Sequence, residues 1–197
     1  MFALTIDQHR SRTGDDDLVP GLLAALADVP AVLPFERTVG DEVQGLLDAP
    51  EAVVEALRTV LRDGNWSIGL GIGPVETPLP GSVREARGPA LLVARDAVDR
   101  AKGAGEVRLA VGSASDPVGA GDVEAVARLV GTLIGRRTDT QWATIDAVDA
   151  APTQRAAAEA LGVSPQNVSQ TLTASAIAAE RAGYPVLVRL LERVEAA

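Results

Sequence analysis

Short apolar runs alternate with longer amphipathic segments over the first 137 residues, and this alternation constrains the fold more than any other feature. The runs "FALTID" (2–7) and "WSIGLGIGPV" (66–75) predict strands, and two runs around Gly40 predict a hairpin. "APEAVVEALRTVLRDG" (49–64) predicts a helix, because its apolar residues follow the helical period and a glycine ends it. The predicted order is strand, helix, hairpin, helix, strand, helix, strand.

This order is the βαββαβ pattern with additional elements, so we expect an α+β fold of the ferredoxin-like type over residues 1–137. Only 3% of the residues are aromatic, although 47% are hydrophobic, which predicts a core of Ala, Val and Leu. The remaining segment, 138–197, predicts helices alone. We therefore expect two domains, with the boundary between residues 137 and 138.

The composition excludes several classes of protein. The chain has no cysteine, which excludes disulfides and thiolate metal sites. Its first residues, "MFALTIDQHRSR", are apolar over too short a stretch for a signal peptide or a membrane span. We expect a cytoplasmic protein without a membrane partner.

The charge is distributed unevenly along the chain. The formal net charge is -9, and residues 1–135 account for -8 of it. A uniformly acidic protein is expected to avoid nucleic acid. The C-terminal segment, however, is nearly neutral, and all of its positive charges are arginines.

The segment "TQRAAAEALGVSPQNVSQTL" (153–172) has the spacing of a helix-turn-helix. Gly162 predicts the sharp turn, and Ser164 is a good N-cap for the second helix. Val168 and Leu172 are four residues apart, so both are predicted to point inward. A helical hairpin that packs on the first domain is the alternative interpretation.

The outward residues of the second helix carry amide and hydroxyl groups, the types that hydrogen-bond to base edges. Phosphate contacts are expected from Arg155 and Arg181. The predicted DNA-binding residues are Arg155, Ser164, Gln166, Asn167, Ser169, Gln170, Thr173 and Arg181.

A shortage of basic residues in the helical segment leads us to expect a homodimer, which would double the positive charge. The only basic residues of the stretch 136–197 are Arg136, Arg137, Arg155, Arg181, Arg189 and Arg193. The twofold contact is expected either from the N-terminal domain or from one face of the final helix. That face comprises Leu187, Leu190, Leu191 and Val194.

Two carboxylates are predicted to meet at one edge of the sheet. Asp7 ends the first strand, and Asp41 lies at the hairpin tip, which the βαββαβ order places beside that strand. Together they would suit Mg²⁺, with phosphate oxygens of a nucleotide completing its ligands. Glu42 is expected to turn outward or towards Arg37. A vestigial pair, bound to Ser11, Arg12 or backbone N–H groups, is the alternative.

Several motifs resemble those of the SatD-like family of bacterial proteins. They are "DQHRSR" with Asp7, Ser11 and Arg12, then "TVGDEVQGLL", "WSIGLGIGPVET" and "GPALLVARDAVDRAK", followed by the terminal helix-turn-helix. The first domain is more distantly similar to the palm-like domain of class III nucleotide cyclases and diguanylate cyclases. Asp7, Asp41, "GIGPV" and Ala94-Arg95 match the pattern of those enzymes.

The resemblance implies a ligand site at Asp7, Ser11, Arg12, Arg37, Asp41, Glu42 and Arg95, with Asp7 and Asp41 as the metal ligands. It also implies a nucleotide, with Mg²⁺, as the ligand. The chain lacks the cyclases' base-selecting acid and the Asn one turn before the catalytic Arg, and Arg37 stands near the position of their Lys. A domain that binds a nucleotide or forms a dimer is therefore favoured over a complete enzyme.

Gly69, Gly71 and Gly73 alternate along one predicted strand and share one face of it. They either allow a helix to pack closely or allow a ligand to approach, and the sequence favours the helix.

The sequence favours a transcription regulator that binds DNA through its C-terminal segment, while the N-terminal domain senses a ligand or forms the dimer. The alternative is a nucleotide-binding protein or enzyme of the cyclase superfamily. A scaffold that binds another protein is the third interpretation.

Overall fold

The computed structural model describes residues 1–9 and 17–197 as an α+β protein with one mixed sheet. The strands are β1 (Phe2–Gln8), β2 (Leu33–Arg37), β3 (Glu42–Leu47), β4 (Trp66–Ile72) and β5 (Leu109–Ser113). Their order in the sheet is β2-β3-β1-β4-β5. β1 is antiparallel to both of its neighbours, β2 is antiparallel to β3, and β5 is parallel to β4. The predicted hairpin around Gly40 is confirmed as the β2–β3 pair.

Eight α-helices are found in the described part of the chain. They are α1 (Val19–Ala25), α2 (Pro50–Asp63), α3 (Pro89–Lys102), α4 (Pro117–Gly135), α5 (Asp139–Ala150), α6 (Gln154–Leu161), α7 (Pro165–Ala174) and α8 (Ile177–Glu195). The predicted end of α2 is confirmed, because Gly64 takes the left-handed conformation there and its N–H reaches the Val60 carbonyl. None of the described helices is long and apolar enough to cross a membrane.

Helices α2, α4 and α8 lie on one face of the sheet and close the main core. Phe2, Leu4 and Ile6 of β1 belong to this core, together with Leu70 and Ile72 of β4. These side chains are buried, and they occupy alternate positions of their strands, as one face of a sheet requires. This face carries most of the buried apolar volume.

Helix α3 covers the other face, and two glycines of β4 let it approach closely. A Cβ atom at Gly69 would lie 2.2 Å from the Ala94 carbonyl oxygen, and one at Gly71 would lie 2.0 Å from that of Ala90. The helix presents small side chains to the sheet, since both of these alanines are fully buried. Gly69 and Gly71 therefore serve helix packing, as the sequence favoured.

The C-terminal helices continue the core of the sheet. Trp142 and Ile145 of α5, and Ile177 and Leu187 of α8, belong to the same buried cluster as β1. The predicted boundary between residues 137 and 138 coincides with the turn between α4 and α5. The two predicted domains thus share one apolar cluster across that boundary.

The apolar face of α8 is used within the chain. Leu187, Leu191 and Val194 are 2%, 0% and 1% exposed, and α8 packs on α4 and α2. The expectation that these residues form a twofold contact is therefore wrong, because exposing them would cost the apolar burial that they provide here.

Candidate functional sites

Helices α6 and α7 are joined by a three-residue turn with well-formed caps. The Thr153 hydroxyl accepts the Ala156 N–H at 3.1 Å at the start of α6, and Gly162 ends that helix with φ of 67°. The Ser164 hydroxyl accepts the Asn167 N–H at 3.1 Å at the start of α7. These bonds satisfy backbone donors at each helix start, so the angle between the helices is set locally.

A small apolar centre holds the helix pair together. Ala157 and Ala158 of α6 and Val168 of α7 are fully buried, while Leu172 is half-buried against the main core. Helix α5 packs against both α6 and α7. The inward positions predicted for Val168 and Leu172 agree with this packing.

The opposite face of α7 is exposed and uncharged. The exposed residues comprise Ser164, Gln166, Asn167, Ser169, Gln170 and Thr173. Within the described chain, the side-chain amides of Gln166, Asn167 and Gln170 have no hydrogen-bond partner. These three amides are consequently free to bind a ligand or a macromolecule.

The arginines of the helical segment differ in availability. Arg155 is 83% exposed and pairs loosely with Glu159 at 3.4 Å. Arg181 is held by both carboxylate oxygens of Asp149, at 2.6 and 2.8 Å. Arg137 is buried, so the prediction that all six arginines are available for phosphate is wrong for this one.

A buried ion pair, which the sequence analysis missed, fixes the start of α8. Glu180 is fully buried and pairs with Arg137, and it accepts a hydrogen bond from the Tyr184 hydroxyl. Arg58 of α2 reaches the same carboxylate at 3.4 Å. The sequence carries one weak sign of this pair. Glu180 is the charged residue among the otherwise apolar residues that α8 turns inward.

Trp142 of α5 contacts an arginine of α2 and one of the turn between α4 and α5. The guanidinium carbons of Arg62 and Arg137 lie 4.2 and 4.8 Å from the centroid of its ring. Arg62 also binds Asp146 through two bonds of 2.8 and 2.6 Å. The hydrogen bond from Arg62 holds the pKa of the Asp146 carboxyl below its ordinary value. These contacts attach α5, and with it α6 and α7, to α2.

The carboxylate opposite Asp7 is that of Glu42 rather than that of Asp41. Asp7 of β1 pairs in register with Glu42 of β3. Asp41 is the residue before β3, and its half-exposed side chain has no partner among residues 1–9 and 17–197. The pair predicted as metal ligands is thus not the pair that the strand register places side by side.

Both facing carboxylates are held by basic residues of α3. Lys102 Nζ lies 2.9 Å from Asp7 Oδ2, and Arg95 Nη1 lies 2.5 Å from Glu42 Oε2. Glu42 is 5% exposed and also accepts the Thr38 hydroxyl at 2.6 Å. The expectation that Glu42 turns outward or towards Arg37 is wrong, because α3 covers this face and supplies its partner.

The pKa of Lys102 is raised above its ordinary value at this edge. Burial lowers its pKa, but hydrogen bonds and charge attraction from Asp7 and Asp99 outweigh burial, so the net shift is upward.

Arg37, which was predicted for the ligand site, pairs with Asp17, which precedes α1. Ser11 and Arg12, predicted for the same ligand site, lie outside the described residues.

The described residues do not form a ready metal site. No group of three His, Cys, Asp or Glu residues within 1–9 and 17–197 is placed to hold a metal ion. Asp7 and Glu42, which the strand register places side by side, already have cationic partners, and Mg²⁺ would have to displace these partners. Comparisons of the chain with protein-family models, curated proteins and solved structures gave no match.

Proposed function

We propose that this protein is a DNA-binding transcription regulator in which α6 and α7 act as a helix-turn-helix. The observation that carries the proposal is the exposed, uncharged face of α7, with its three unpartnered amides. A surface helix with only a structural role usually carries Glu and Lys on its solvent side, whereas Pro165–Ala174 has no charged residue. Amide side chains at the start of a recognition helix are suited to bind base edges in the major groove.

Two basic residues of the neighbouring helices α6 and α8 suit phosphate contacts. Arg155 lies at the start of α6, and its pairing with Glu159 is exposed and i,i+4, so breaking it costs at most about 0.5 kcal/mol. Arg181 lies near the start of α8 and would exchange Asp149 for phosphate. Such contacts position the protein on the duplex but do not read its sequence.

For the N-terminal part we propose a ferredoxin-like sheet that is extended by one strand. The first four strands have the order β2-β3-β1-β4, with β1 antiparallel to both neighbours, which supports this assignment. β5 then adds a fifth strand at the β4 edge. We assign to this part the sensing of a ligand or the formation of a dimer, in line with the resemblance to SatD-like proteins.

Nucleotide binding with Mg²⁺ is the second candidate function, and the cluster of Asp7, Glu42, Arg95 and Lys102 favours it. Two acids and two bases meet at one edge of the sheet, a combination that suits a metal together with phosphate. Binding would require Lys102 and Arg95 to move from the carboxylates to the phosphate. Calorimetry with Mg²⁺ and nucleoside triphosphates tests this, and heat that is lost in Asp7→Ala would support it.

The main test is binding of the full chain to fragments of DNA from its own genome, measured by fluorescence anisotropy at several salt concentrations. We expect a preference for one class of fragment. The triple variant Gln166→Ala/Asn167→Ala/Gln170→Ala should lose this preference, because each good base contact is worth about 1–3 kcal/mol. Its melting temperature should be unchanged, since all three side chains are exposed.

Two further variants serve as controls in the same assay. Asn65→Ala removes an exposed amide that lies before β4, far along the chain from α7, and should bind like the wild type. Arg155→Ala should weaken binding to all fragments alike and flatten the salt dependence. A wild-type protein that binds all fragments equally at low salt would contradict the proposal.

A further inference from the structure

The proposed function leaves a groove between α2 and α8 unexplained. Its volume is about 820 Å³, and residues at helical spacing on both helices line it. Its apolar part consists of Val54 of α2 with Tyr184, Pro185 and Val188 of α8. Helix α8 uses another face for the core, and its groove residues remain accessible to a partner.

The two helices run in opposite directions along the groove. At one end, Arg58, late in α2, pairs with Glu180 at the start of α8. At the other end, Glu195 of α8 binds the amino group of Met1, next to β1. β3 ends opposite the beginning of β1, and α2 starts shortly after it. The start of α2 therefore lies beside the end of α8.

This arrangement separates charge along the groove. Glu51 of α2 and Glu192 of α8 lie at the end nearest to Met1. Arg58 lies at the opposite end, together with Arg181, whose charge Asp149 already balances. Because Glu180 is shared between Arg58 and the buried Arg137, one positive charge remains uncompensated there. One end of the groove is thus acidic and the other basic, and the apolar residues lie between them together with Glu55 and Arg189.

We propose that this groove binds the same groove of a second copy of the chain, across a twofold axis that crosses it at its middle. Such an axis sets the acidic end of each copy on the basic end of the other, and each helix against its own counterpart. The apolar residues would meet at the centre, where four helices pack together. An axis along the groove would instead place the two acidic ends on each other.

Charge explains why a second copy is favoured as the occupant. With a net charge of -9, two copies repel unless the surfaces that meet carry both signs. The groove is lined by three glutamates and three arginines, so it is neutral as a whole and complementary to itself after the rotation. A self-complementary patch is what an isologous dimer requires.

The dimer deepens the proposed function, because it sets the distance between the two α7 helices. The groove residues of α8 run from Arg181 to Glu192, and its middle lies about ten residues from the start of that helix. At 1.5 Å per residue, each α8 would begin about 15 Å from the axis along the groove, and the two starts, which α7 precedes in each chain, would lie about 30 Å apart. This approaches the spacing of about 34 Å between half-sites on one face of DNA.

The test is sedimentation equilibrium of the full chain, without DNA, from 1 to about 100 µM. We expect a monomer–dimer equilibrium in the wild type. Val188→Glu should weaken dimerisation at least tenfold, because it places a charge at the centre of the contact. Leu129→Glu is the matched control, since Leu129 is 69% exposed on α4 outside the groove, and it should dimerise normally.

A second pair of variants tests the charge pattern without altering the apolar centre. Glu192→Lys should weaken the dimer at low salt, because the new lysine meets the partner's basic end. Glu85→Lys, an exposed change of the same charge outside the groove, should instead leave the affinity unchanged or raise it slightly. If Glu192→Lys and Val188→Glu, both folded by their melting curves, dimerise like the wild type, the proposed contact is wrong.

The failure of this inference can be distinguished from failure of the proposed function. A wild type that stays monomeric at 100 µM overturns the dimer, even if it binds DNA specifically. A dimer that depends on Val188 and Glu192 supports the inference, even if the protein shows no preference among DNA fragments. Small molecules or another protein that occupy the groove of a monomer would likewise overturn it.

Discussion

Glu180 is the residue on which the attachment of the C-terminal helices most depends. Its carboxylate is fully buried and has Arg137, Arg58 and Tyr184 as partners. A buried pair of this kind gains little net stability over apolar residues of the same size. Removing one partner, however, leaves a charge in a place without water, and that is costly.

We therefore predict that Arg137→Met lowers the free energy of unfolding by about 3 kcal/mol, measured by urea denaturation. The adjacent Arg136 provides the matched control. It is 69% exposed and, within the described residues, pairs with the exposed Glu106, so Arg136→Met should lower the free energy of unfolding far less than Arg137→Met does. The double change Arg137→Met/Glu180→Leu should recover most of the loss, because no charge is then left buried. Equal effects of Arg137→Met and Arg136→Met would refute the role given to the buried pair.

At the scale of elements, the contact of α3 with β4 determines how closely the second face of the sheet is covered and which partners its carboxylates have. The helix lies so close that its backbone carbonyls would collide with any side chain at Gly69 or Gly71. It brings Arg95 and Lys102 over the carboxylates of the sheet edge. Close helix packing and the basic partners of Asp7 and Glu42 are thus two results of the same contact.

We predict that Gly71→Ala destabilises the protein by about 3 kcal/mol, since the new methyl group forces α3 away from the sheet. Gly121→Ala is the control, because Gly121 lies inside α4, where a Cβ atom would extend into open space. That change should stabilise the helix by about 0.5–1 kcal/mol, as alanine favours helix more than glycine does. Thermal and urea unfolding of both variants measures the difference. A neutral Gly71→Ala would mean that α3 can shift freely.

At the scale of the whole molecule, the C-terminal helices complete the core of the N-terminal sheet. Helix α8 covers α2 and α4, and its last turn reaches the amino group of Met1. The last helix is therefore in contact with the residue before the first strand and with two helices of the N-terminal part, even though the sequence predicts helices alone after residue 137. The folding of the two parts should be coupled for this reason.

We predict that a chain ending at residue 137 does not unfold cooperatively. Without α8, the apolar surface that Leu187, Leu191 and Val194 cover on α2 and α4 faces water. Circular dichroism during heating should show a broad, non-cooperative change, and the fragment should bind a hydrophobic dye. A sharp transition near that of the full chain would contradict the prediction.

The sequence by itself determined the local features of this protein. Gly64 and Gly162 end helices, Ser164 begins one, and the run around Gly40 forms a hairpin. Each of these depends on neighbours within a few residues, through capping bonds or backbone conformation. Such interactions are present in the sequence as short patterns, and these were predicted correctly.

Only the tertiary structure decided the partners of charged groups. The strand register sets Glu42, and not Asp41, opposite Asp7, and a shift of one residue reverses which acid faces inward. The docking of α3 then gives both carboxylates basic partners, and the return of α8 buries Glu180 with Arg137. These pairs join residues that are distant in the chain, so no local pattern specifies them. Their formation depends on how whole elements pack, which only the folded chain determines.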